Sequence, residues 1–171
     1  MIPTSSAISG GLVWSKIPHQ RGYELKSNGS TIAALQRKSC WSQEFHAESQ
    51  QRSWKFRRIG FWRFASEIVD VNSGVQIATF KPNWGGGGRL VFSDGQTFRL
   101  TSQGLWRPVW SVLANDQLVL SIQARGKKVE LVNQMHLPED RLTLLAIFTW
   151  HIMQQTAEDA AAGAAVAAAV S

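Results

Sequence analysis

From Tyr23 to Asn133 the chain alternates short runs of apolar and polar residues with clusters of turn formers. Positions 23–27, 30–37, 43–49, 53–58, 61–71, 75–80, 89–93, 96–101, 105–113, 117–124 and 127–133 make about eleven such runs, the spacing expected of an antiparallel sandwich or barrel. Asn28-Gly29, Asn72-Ser73-Gly74, Asp94-Gly95 and Arg125-Gly126 lie between them and tolerate the positive φ that tight hairpins require. Phe98 and Leu100 alternate with Thr97, Arg99 and Thr101, while Leu118, Leu120, Ile122 and Ala124 alternate with Val119, Ser121 and Gln123. Because successive strand side chains point to opposite faces, each run is expected to bury one face, with Leu118 inward and Val119 outward.

The period changes after Leu137. Pro138, Glu139 and Asp140 suit the first turn of a helix, where amides lack partners and the dipole attracts negative charge. Leu142, Leu144, Leu145, Ile147, Phe148, Trp150, Ile152 and Met153 would surround that helix on every side, so it must be enclosed by protein or lipid. The apolar stretch reaches only Gln154 and Gln155, short of the roughly twenty residues a membrane span needs. Extending it would draw in Glu158 and Asp159. A helix over 138–156 enclosed by the strands, with no transmembrane span, is therefore the expectation. Residues 157–171, nearly all Ala, have helix propensity but little area to bury, and read as a fraying extension or disordered tail. Residues 1–20, rich in Ser, Gly and Pro, read as a flexible arm that offers Val13 and Trp14 to the edge of a domain over 21–156.

Composition adds three constraints. A chain of 171 residues fits one domain, and eight Trp and eight Phe against one Tyr call for a core with bulky fillers. The net charge of +6 favours anionic partners. Cys40 is the only cysteine, which excludes intramolecular disulfides and multi-cysteine metal sites. The first twenty residues lack the early charge and apolar run of a secretory signal, so a cytoplasmic location is expected.

The hairpin Ile68-Val69-Asp70-Val71-Asn72-Ser73-Gly74-Val75, the hairpin Leu90-Val91-Phe92-Ser93-Asp94-Gly95-Gln96-Thr97-Phe98 and the apolar helix Leu142 to Met153 together resemble the tubby C-terminal-like superfamily, which includes phospholipid scramblases and the plant LURP-one-related proteins. The resemblance covers about residues 22–156. It implies a mostly β fold, a closed antiparallel barrel of about twelve strands enclosing a C-terminal hydrophobic helix. It also implies association with lipid or membrane surfaces. The calcium loop and cysteine-rich cluster of scramblases and the closing signature of true tubby proteins have no counterpart, so no ligand-contacting residue is carried over.

The densest chemical feature runs from Arg52 to Arg63, five cations interleaved with four aromatics. Strand period puts Ser53, Lys55 and Arg57 on one face and Trp54, Phe56 and Arg58 on the other. Arg52, Lys55, Arg57, Arg58 and Arg63 are candidate contacts for phosphates, with Trp62 or Phe61 entering a headgroup layer or stacking on a base; the plainer alternative is aromatics inward and solvated charges outward. The Asn83-Trp84-Gly85-Gly86-Gly87-Gly88-Arg89 segment lacks P-loop spacing and reads as a flexible connection; were it to bind an anion, Trp84 and Arg89 would be the contacts. Glu44, His46 and Glu48 share a strand face and read as a polar exterior before a metal site. His151, on the apolar helix, is expected to be satisfied by a backbone carbonyl.

No nucleophile with a base, paired-acid motif or nucleotide fingerprint stands out, so no catalytic residue, metal or cofactor is expected. The expected function is a non-catalytic binding module, peripheral to anionic lipid headgroups. The alternatives are a small ligand-binding barrel or enzyme, a nucleic-acid-binding protein, and an assembly protein.

Overall fold

The computed structural model describes residues 11–39, 42–60, 65–132 and 136–170. Its twelve strands are β1 (Leu12–Lys16), β2 (Gly22–Ser27), β3 (Ser30–Arg37), β4 (Glu44–Ser49), β5 (Ser53–Ile59), β6 (Ala65–Asp70), β7 (Gln76–Pro82), β8 (Gly88–Phe92), β9 (Thr97–Gln103), β10 (Val109–Ala114), β11 (Gln117–Gln123) and β12 (Lys128–Leu131). Each pairs antiparallel with its neighbours in sequence, and β1 pairs with β12, so the sheet closes into a barrel. One helix follows, α1 (Glu139–Val170).

The arm expected over 1–20 contains the closing strand. Leu12 and Trp14 face the core, Leu12 pairs with Val129, and the Trp14 amide donates to the Lys127 carbonyl at 2.9 Å. Five residues are too few to show a period, but pairing them covers the otherwise bare edges of β2 and β12. Two further expectations are corrected. Residues 105–108 are a loop, not the start of a strand, because Gly104 at φ 91° turns the chain before Val109 pairs with Gln103. In β11 a bulge shifts the register opposite Val112 and Leu113. One extra residue reverses the alternation, so Val119 is buried and Leu118 faces out.

The interior is filled by α1. All twelve residues from Leu142 to Met153 are buried, as an all-round apolar helix requires. Phe148 meets Phe56 and Phe80 edge-on at 5.1 and 5.5 Å, and Trp150 stacks on Trp14 at 5.2 Å. The helix enters beside the β4–β5 and β8–β9 hairpins. There Arg52 holds Asp140 at 3.1 Å, and Arg141 reaches Asp94 at 2.7 Å while lying 3.8 Å over the Phe92 ring. Beyond Gln155 the helix continues, exposed, to Val170, where a fraying extension or disordered tail is the expectation from sequence. No helix among the described residues is long and apolar enough to cross a membrane.

Candidate functional site

With the barrel axis occupied by aromatic packing, the chemistry open to a partner lies on the surface, and the two ends of the barrel differ in kind. At the entry end the turns and the helix start carry Asp94, Asp116, Glu139 and Asp140 against Arg52 and Arg141. At the exit end open the connections β1–β2, β3–β4, β5–β6, β7–β8, β9–β10 and β11–β12. The described residues of these loops include Arg21, Lys38, Arg107, Arg125 and Lys127, all exposed, and no carboxylate, while the emerging helix brings Glu158 and Asp159 to Arg37 and Arg58 of the rim. Large apolar side chains stand among these cations: Trp84 is 88 %, Leu105 97 % and Trp106 95 % exposed.

Local geometry fixes how these side chains are displayed. In the β7–β8 connection the Asn83 carboxamide oxygen accepts from the amides of Gly85 and Gly87, both at 3.0 Å, and the Asn83 amide donates to the Gly87 carbonyl at 2.9 Å. The glycine run is therefore an ordered turn that spends these amides on Asn83, which takes them from any phosphate cradle. A Cβ at Gly88 would meet the Phe80 ring at 2.4 Å, so glycine there is a packing requirement. In the β9–β10 connection Gly104 and Pro108 bracket Leu105, Trp106 and Arg107.

The candidates from sequence are dispersed. Trp54 and Phe56 point inward and Lys55 and Arg57 outward, as the period requires, but each cation has a carboxylate partner. Lys55 lies 3.8 Å from Glu44, and Arg57 is bridged to Glu67. Arg52 sits at the entry end, bound to Asp140 and 3.8 Å from Asp70. Arg58 is half-buried at the exit mouth and bonds Asp159 of α1 at 3.1 Å. Arg89 lies on the outer wall, facing Lys81 on one side and Arg99 on the other. Trp62 and Arg63, with Phe61 and Cys40, fall outside the described residues. Of the described candidates, only Trp84 belongs to the exit-end loops and only Arg58 to the mouth beneath them.

Sequence reasoning missed Leu105, Trp106 and Arg107 by reading them into a strand. The signal was present: Gly104 and Pro108 bracket a five-residue connection. On the outer wall Glu44 and His46 bond each other, Nε2 to Oε1 at 3.0 Å, with Lys55 beside them.

At the mouth, inward-facing rim positions hold Lys16, Tyr23, Arg37, Phe45 and Arg58 around the emerging helix. The Tyr23 hydroxyl donates to Gln154 Oε1 at 3.0 Å, and Arg37 lies 3.7 Å from Glu158. Burial, and then Glu158, raises the Tyr23 pKa, which keeps its proton in place. Below them His151 is packed among Phe45, Phe56 and Phe148. Contrary to expectation its Nδ1 has no hydrogen-bond partner among the described residues, and burial, reinforced by Arg58 and Arg37, pulls its pKa down to about 3. It is a neutral ring beneath a cationic rim.

Comparison with protein-family models, with curated proteins and with solved structures gives no match to this chain.

Proposed function

We propose that the protein is a non-catalytic module that docks end-on against anionic lipid headgroups at a membrane surface, with the exit end of the barrel as its contact face. The observation that carries this reading is the placement of Trp84, Leu105 and Trp106, nearly fully exposed, among five cations with no carboxylate in the described loops. Amphipathic indoles settle at the headgroup level, and cations near an anionic surface contribute about 1 kcal/mol each. Anionic lipids are concentrated on the cytoplasmic leaflet, so the reading includes peripheral association from the cytoplasmic side. The tubby-like relationship belongs to the same proposal, supported by the twelve-stranded barrel threaded by its C-terminal helix.

Flotation with phosphatidylserine-containing and purely neutral vesicles tests it. The parent is expected to float with the acidic vesicles, less so as salt shortens screening toward about 8 Å. Leu105→Ser with Trp106→Ser should abolish flotation and leave the melting temperature unchanged, since neither side chain packs on the core. A parent that ignores acidic vesicles while shifting a single-stranded RNA would replace this reading with a nucleic-acid one, since exposed indoles also stack on bases.

A further inference from the structure

Inside the exit mouth, between β1, β2, β3 and β4, lies a recess of about 200 Å³. Lys16, Arg21, Tyr23, Arg37 and Gln154 supply its polar lining over a floor of Leu35 and Phe45, a few convergent polar groups on an apolar base, as small-ligand sites are built. The Gln154 oxygen is occupied by the Tyr23 hydroxyl, which leaves the amide NH2 to donate. Arg37 is held before any ligand arrives: its Nε donates to the Ser42 carbonyl at 3.1 Å and its guanidinium lies 5.2 Å over the Phe45 ring. A side chain already ordered loses less freedom on binding.

Among the described residues, Glu158 is the one carboxylate lining the recess. Its 3.7 Å separation from Arg37 is long beside the roughly 2.7–2.9 Å of a charge-assisted bond. The three cations less this one carboxylate leave two positive charges, which matches the charge of about −1.5 to −2 on a phosphate monoester. An adjoining recess of about 410 Å³ shares Arg21 and Arg37 and adds Lys38, room for the alcohol part of such an ester.

We propose that this mouth binds a phosphate monoester, with Lys16, Arg21 and Arg37 receiving the phosphate and Glu158 occupying Arg37 as an internal competitor that the ligand displaces. The proposal does not rest on the membrane reading, because the monoester can be a soluble compound or a lipid headgroup. Both would meet the same cations.

The full chain is titrated with glycerol 3-phosphate and followed by backbone amide NMR, and in a second arm is floated with phosphatidate vesicles. Saturable one-to-one binding is expected, weakened at least about tenfold by Arg37→Gln and by the fold-neutral pair Lys16→Gln with Arg21→Gln. Glu158→Gln should strengthen it about two- to fivefold. The same dependence seen only with vesicles assigns the ligand as a lipid headgroup. The proposal is overturned if the variants bind like the parent in both arms, or if Glu158→Gln weakens binding. Acidic-vesicle flotation that persists after that result leaves end-on docking standing. Ester binding retained when Leu105→Ser with Trp106→Ser leaves vesicle binding intact separates the two the other way.

Discussion

His151 shows how much one residue's meaning depends on its neighbours. On the chain it is a histidine in an apolar run; in the fold it is fully buried among three phenylalanines beneath Arg37 and Arg58. In the folded protein it stays neutral down to about pH 3, whereas unfolded it takes up a proton near 6.5. Below about pH 6.5 the unfolded state therefore binds more protons, and stability falls as pH drops. Between pH 7 and pH 5 that loss is about 2 kcal/mol. The carboxylates whose pKa the fold lowers, Glu24, Asp70 and Asp94, start from 4.5, 3.8 and 3.8 and act at lower pH. His151→Leu, which gives up no Nδ1 hydrogen bond, should flatten the urea midpoint between pH 7 and 5; an unchanged slope would mean another group carries the dependence.

At the scale of elements, α1 is two helices in one. Its first half, buried on all sides, fills the barrel and is clamped at its start by Arg52 and Arg141. Its second half is exposed and touches the barrel through Glu158 and Asp159. Truncation after Leu137 removes eight large core side chains, at about 1.5–3 kcal/mol each, against a net stability of about 5–15 kcal/mol for a domain. The product should not fold, and cooperative unfolding of a soluble product would refute the central role of the helix. Removing residues 160–171 should change stability by less than about 1 kcal/mol, read as the shift in the denaturation midpoint. The all-round apolar pattern was legible because it is local; the continuation to Val170 follows from Ala propensity, and only the described geometry shows that it stays helical and exposed.

At the scale of the whole molecule, function is proposed to follow from a polarity between ends that no single segment contains. Lys55 and Arg57, on one strand face of the most basic segment, are matched across strands by Glu44 and Glu67. Arg107 and Arg125 come from separate connections and share one end because the antiparallel meander returns every second connection to it. Lys55→Gln with Arg57→Gln should therefore leave acidic-vesicle binding nearly unchanged. Arg107→Gln with Arg125→Gln should weaken it at least about tenfold, at about 1 kcal/mol per cation. If the first pair matters more than the second, the contact face lies on the wall and end-on docking is wrong.

Hairpins, their turns, the inward face of most strands and the central helix were determined by the sequence itself, since each depends on contacts between near neighbours and on a period of two or near four. Three things were decided by tertiary structure. Leu12–Lys16 became a strand only because the barrel had two edges to cover, and the bulge that buries Val119 depends on the partner strand. Which cations are neutralised was decided by cross-strand register, which places Glu67 against Arg57 and Arg89 against Lys81. These partners sit on the neighbouring strand, across a turn, so a charge-rich segment names its own residues without naming what faces them.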